Sequence, residues 1–189
     1  MNRREIRAVY TGDTIRVYQA YSPVIAEEAV AGGRFGPHFS LKRMTWIKPS
    51  FLWMMYRCGW AQKPGQERVL AIDLRRDAFD EVVRRAVPSS YRPELGISRE
   101  AWQQAVARSD IRCQWDPERD IQGNPLPFRS IQLGLRGAAV RSYVDEWIVQ
   151  LSDITAYVEQ LRLQKEAGAP VDSLLPQERS YPMPEEDAE

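Results

Sequence analysis

The chain has 189 residues, enough for one domain plus a tail, and a 43% hydrophobic content lets it bury a sizeable core. Charged residues make up 28%, no apolar run approaches the roughly 18–20 residues of a membrane span, and Met1-Asn-Arg-Arg-Glu5 lacks the apolar stretch of an export signal, so a soluble, cytoplasmic protein is expected. The net charge of +0 hides an asymmetry: residues 1–60 hold nine Lys/Arg against four Asp/Glu, and residues 165–189 hold two against seven.

Thr14 to Ala20 alternates apolar and polar β-formers and predicts a strand. Ser22-Pro23 starts a helix that stops at Gly32-Gly33. Lys48-Pro49 restarts a helix; Phe51 to Tyr56 is apolar nearly all round, as a helix buried on most sides would be, and it ends near Gly59. Arg68 to Leu74 reads as an interior strand, Asp77 caps a short helix to about Val87, and 88–96 is a loop. Ser98 caps a helix over 99–108. Ile111–Trp115 and Phe128–Leu135 are strands that could pair as a long-looped hairpin. Val140, Val144, Trp147, Leu151, Ile154, Val158 and Leu161 recur at steps of three or four and predict one long C-terminal helix. From residue 168 the chain turns Pro-rich and acidic, so residues 168–189 are expected to be a disordered tail after an α+β domain spanning 1–167. The fold class expected is α+β: a small, mixed or mostly antiparallel sheet wrapped by helices.

Three constellations could carry chemistry. Arg43 to Arg57 interleaves basic groups with aromatics, a pattern suited to stacking on a ring while holding a phosphate. Arg43, Thr45, Lys48 and Ser50 surround the expected helix start, whose free N–H groups could hold an anion, and Trp46 and Tyr56 could stack a ring. In Gln114-Trp-Asp-Pro-Glu-Arg-Asp120, read as a turn at a strand end, Asp116 or Glu118 could act as a general base, orient a ribose hydroxyl or hold a metal ion. Around Arg129, the strand face Ser130, Gln132 and Gly134 could floor a pocket, and Arg16 and Gln19 sit on the first strand. Cys58 and Cys113 read as reduced thiols, and His38, alone in a loop, as neither ligand nor base. No metal site is predicted: without a Cys-x-x-Cys pair and with one histidine, structural zinc and a Ser-His-Asp triad are poor candidates.

Arg4–Ala8, Thr14–Tyr21, Arg43–Arg57, Gln114–Asp120 and Arg129–Leu135 resemble the domain-of-unknown-function 4291 family over roughly residues 3–165. That resemblance implies no activity. A looser likeness, in order of elements, is to the ADP-ribosyltransferase superfamily. It implies that Arg16 or Gln19, then Thr45 to Tyr56, then Glu118 serve an NAD-binding site. The first strand here carries no histidine, there is no clear Ser-Thr-Ser strand, and the acid follows Asp-Pro.

The function expected is binding of a nucleotide-like or phosphate-bearing ligand, with NAD the candidate cofactor and an ADP-ribosyltransferase-like transferase the candidate enzyme. The alternative is a non-catalytic module, using the basic-aromatic surface for nucleic acid or the acidic tail for a basic partner or the domain's own basic face. Net neutrality weighs against nucleic acid.

Overall fold

The computed structural model describes residues 3–182. The first segments form β1 (Arg3–Arg4), β2 (Arg7–Ala8), β3 (Thr14–Tyr21) and α1 (Pro23–Gly32). Gly33, at φ 65°, ends α1 in the left-handed conformation that favours glycine. Next come β4 (Thr45–Ile47), α2 (Phe51–Cys58), β5 (Arg68–Arg75), α3 (Arg76–Arg85), β6 (Val87–Pro88) and, after a single 3₁₀ turn, α4 (Arg99–Arg108). β7 (Ile111–Arg119) and β8 (Pro125–Leu135) form the expected hairpin, and α5 (Gly137–Ser142), β9 (Ile148–Asp153), α6 (Thr155–Glu166) and β10 (Arg179–Ser180) complete the order. Among the described residues the fold is α+β, with six α-helices on mixed, mostly antiparallel sheets.

One sheet runs β3-β5-β9, antiparallel throughout. Both its faces are covered. Ile15 and Val17 on β3, with Leu70, Ile72 and Leu74 on β5, face one apolar cluster. Tyr18, Val69 and Ala71 face a second, built on α2 and α6. This explains the unbroken apolar run of β5, which a half-exposed strand would not tolerate. The other sheet centres on β8, with β7 along one edge; β1 (parallel) and β4 (antiparallel) share the opposite edge, and β6 lies parallel to β7. The two sheets touch where the Tyr18 amide donates to the Lys48 carbonyl at 2.7 Å. The chain just after β4 is therefore pinned to the middle of β3.

Three expectations are corrected. The long C-terminal helix is broken. α5 passes through a wide turn at Tyr143–Trp147 into β9, which pairs with the otherwise free edge of β5, Leu151 opposite Ile72. β-Branched Ile148 and Val149 favour the strand, and Asp153 starts α6 afresh by accepting the Thr155 amide at 2.8 Å. The Asp116–Asp120 segment is not a turn: β7 continues to Arg119, with Pro117 accommodated beside an irregularity of register. The tail does not begin at 168. Val171 and Tyr181 are buried, and β10 pairs antiparallel with β2. The final acidic run, from residue 183, lies outside the described residues.

Helix α2 starts at Phe51, two residues later than Pro49 suggested, because the Ser50 hydroxyl accepts the Trp53 amide at 3.1 Å and caps it. Gly59, at φ 59°, terminates it. Phe51, Met54, Met55 and Cys58 are buried, as the apolar pattern required.

Candidate functional site

A cavity of about 730 Å³ opens between the end of β3, the loop before β4, β4 itself, α2 and the β7–β8 hairpin. At its back, Gln19 is 3% exposed and hydrogen-bonds in four directions. The two hydrogens of its amide nitrogen are shared among Thr45 Oγ1 at 2.8 Å, the Trp46 carbonyl at 2.9 Å and the Tyr21 hydroxyl at 3.0 Å. Its oxygen accepts from the Tyr143 hydroxyl at 2.6 Å. Such a saturated amide cannot rotate without stranding a buried partner, so this wall is rigid. Burial pushes Tyr21 up to about 12, partly opposed by its bonds to Thr45 and Gln19, so it presents a hydroxyl and not a phenolate.

The floor comes from the polar face of β8. Gln132 lines the cavity and donates to Asp116 Oδ2 at 2.7 Å; Gln114, across the ladder on β7, donates to Asp116 Oδ1 at 2.8 Å. Gly134 lies under Met44 and Trp46: an added Cβ would fall 2.7 Å from the Met44 sulfur and 3.0 Å from the Trp46 ring. Glycine there leaves the room that the Met44 sulfur and the Trp46 ring occupy.

Arg43, Lys48 and Arg57 are the Lys/Arg residues of the lining, which contains no Asp or Glu. Arg43 and Arg57 are exposed and form no ion pair among the described residues. Lys48 is 5% exposed, with its ammonium 4.7 Å from the centre of the Trp53 ring. Burial, aided by Arg57 and opposed by Asp116, lowers its amine to about 7. His38 is at the rim, tied through Nδ1 to Glu28 Oε1 at 2.5 Å.

A second polar centre adjoins the start of α2. Ser50 donates to Glu118 Oε1 at 2.9 Å, and the Arg119 amide donates to the same oxygen at 2.8 Å. Burial raises the Glu118 carboxyl against those two bonds. Glu178, from the C-terminal segment, accepts the Phe51 amide at 2.6 Å, and Arg7 Nη2 donates to the Glu178 carbonyl at 3.0 Å. Withdrawal from water pushes Glu178 up to about 8, with Glu118 adding to the rise. The anion site expected at the helix N-terminus is thus filled by the protein's own carboxyl.

The family model described as a domain of unknown function, DUF4291, matches residues 5–181. The chain belongs to the DUF4291 family. Among curated proteins, no match is found. The matched range of this DUF4291 chain encloses both the cavity and the C-terminal segment, down to buried Tyr181.

The structure thus gathers Gln19, Arg43, Thr45, Trp46, Lys48 and Gln132 around one cavity, with Asp116 one hydrogen bond behind it. Other nominated residues of the DUF4291 chain lie elsewhere. Arg16 pairs with Asp73 through two bonds of 2.8 Å on the β3–β5 ladder. Tyr56 is stacked by the Arg119 guanidinium at 4.0 Å. Arg129 donates to the Trp115 carbonyl at 2.8 Å, and Ser50 and Glu118 bind each other. None of these five lines the cavity. Sequence reasoning had not singled out Tyr21, Gln114, Tyr143 or Glu178. The strand alternation that nominated Gln19 could have found Tyr21, two residues on; nothing local marks Tyr143 or Glu178.

Proposed function

We propose that the cavity binds a small phosphate-bearing, nucleotide-like ligand. One observation carries the reading: three Lys/Arg side chains converge on a lining without a carboxylate. Arg43 and Arg57, facing a lining that holds no carboxylate, repel each other and the ionised fraction of Lys48, and an anionic ligand would relieve that repulsion. Two of them are arginines, whose planar forks suit phosphate oxygens. The volume of about 730 Å³ falls within the roughly 300–1,000 Å³ typical of ligand pockets. Trp46 offers an aromatic surface for a base or ring, and Gln132, Thr45 and Tyr21 offer polar groups for its edge or for ribose hydroxyls.

The reading goes no further toward ADP-ribosyl transfer. The acid nominated to orient a ribose, Glu118, is 4% exposed and engaged by Ser50 and the Arg119 amide. NAD therefore enters as one ligand of a panel. Calorimetric titration with AMP, ADP and NAD is expected to show saturable binding by at least one. Arg43→Ala should weaken it about tenfold, or ~1.4 kcal/mol. Flat titrations across the panel would remove the proposal.

A further inference from the structure

We infer that Lys48 is a nucleophilic amine that condenses with the carbonyl carbon of an aldehyde- or ketone-bearing ligand, forming an imine inside the cavity. The phosphate that such a ligand would also carry rests on the reading proposed above; the amine's reactivity stands on separate observations.

The first is its lack of an acceptor. A lysine engaged in structure ends on oxygen, as Lys63 does on the Arg57 carbonyl at 2.7 Å. Lys48 is only 5% exposed as a residue, its ammonium finds no hydrogen-bond acceptor among the described residues, and it lies 4.7 Å from the centre of the Trp53 ring. The second is charge. The lining has no carboxylate that would hold the group as ammonium, and the nearby Asp116 is already bound by Gln114 and Gln132. The third is access, since Lys48 lines the same cavity as Arg43 and Arg57. With the amine lowered to about 7, a large fraction carries a free lone pair at neutral pH.

The step balances without an oxidant or a further reactant. The nitrogen lone pair forms a bond to the carbonyl carbon, and the carbonyl π pair moves to oxygen. Oxygen gains a proton and nitrogen loses one, giving a carbinolamine. Its hydroxyl takes up a proton and leaves as water as the nitrogen pair forms the C=N bond, and nitrogen then releases its remaining proton. The sum is amine plus carbonyl compound giving imine plus water. A phosphate on the ligand lies toward Arg43 and Arg57.

The sequence makes the test clean, because lysine occurs only at positions 42, 48, 63 and 165. The full chain is incubated with pyridoxal 5′-phosphate across pH 5–10, reduced with borohydride and mapped by peptide mass spectrometry. Lys48 is expected to be labelled at least roughly tenfold faster than the other three at neutral pH, with its half-maximal rate near pH 7. Lys48→Arg should lose the fast phase and Lys63→Arg keep it. The wild-type pH profile decides the matter even where Lys48→Arg fails to fold. Labelling of Lys48 no faster than Lys42 overturns the inference; if AMP, ADP or NAD nevertheless binds by calorimetry, the pocket reading survives alone. Equally fast labelling by phosphate-free pyridoxal, with no nucleotide bound, supports the nucleophile and removes the phosphate-bearing ligand.

Discussion

Glu178 and Lys48 depart from their ordinary pKa values in opposite directions, and each gives stability its own dependence on pH. Glu178 moves from 4.5 up to about 8, so between those values the folded state holds more protons than the unfolded one. Its contribution is present below about 4.5 and is lost as pH rises to about 8. Lys48 moves from 10.5 down to about 7, so the folded state holds fewer protons there, and stability recovers as pH rises across that window. Urea midpoints are expected to fall from pH 5 toward neutrality and then recover on the alkaline side. Glu178→Gln should flatten the acid limb and leave the alkaline one; an unchanged acid limb would refute the assignment. These residues differ in how far the sequence revealed them. Lys48 stood out beside aromatics and a proline, but its burial depends on the Trp53 ring beside its ammonium and on β3, where Tyr18 holds its backbone. Glu178 fell in a stretch that reads as a solvated acidic tail. Its enclosure depends on α2, more than a hundred residues earlier in the chain.

At the level of elements, α2 holds the site together, because Lys48 precedes it and Met54 and Arg57 sit on it. Its cap is shared: the Ser50 hydroxyl accepts from Trp53 and donates to Glu118. Ser50→Ala should cost about 2 kcal/mol, combining loss of the cap with an under-bonded buried carboxyl. In urea melts, adding Glu118→Gln to Ser50→Ala should cost less than the two single changes summed; strict additivity would show that the pair is not coupled. Elements governed by local patterning were legible: β3 by alternation, α1 and α4 by Ser22 and Ser98, and the β7–β8 hairpin by its flanking strands. β9 was not. Its apolar residues happen to recur at helical steps, and the choice between helix and strand was made by the open edge of β5, a partner about eighty residues away. The same holds for β7 beyond Asp116: Asp-Pro signals a turn locally, but pairing with β8 carries the strand through it.

At the scale of the whole molecule, the two ends of the described chain are knitted together. β2 pairs with β10, Arg179 opposite Ala8, and the Tyr181 amide donates to the Ile6 carbonyl at 2.7 Å. Tyr181 is 3% exposed and packs edge-on against Phe79 and Tyr10. Tyr181→Ala should therefore cost about 3 kcal/mol, and truncation after residue 175 should cost more, since it also removes Glu178 from α2. Both are checked by thermal melts; a truncated chain melting within a few degrees of the full one would show that the segment is dispensable. The closure also bears on synthesis. In a growing chain β1 must wait for β8 and β2 for β10, and the helix beside Lys48 gains its Glu178 partner only after more than a hundred further residues have been added. In the order of synthesis every residue that lines the cavity is made by the time Gln132 is added, well before Glu178, the carboxyl that meets the start of α2, so the pocket wall exists in the chain before its support does.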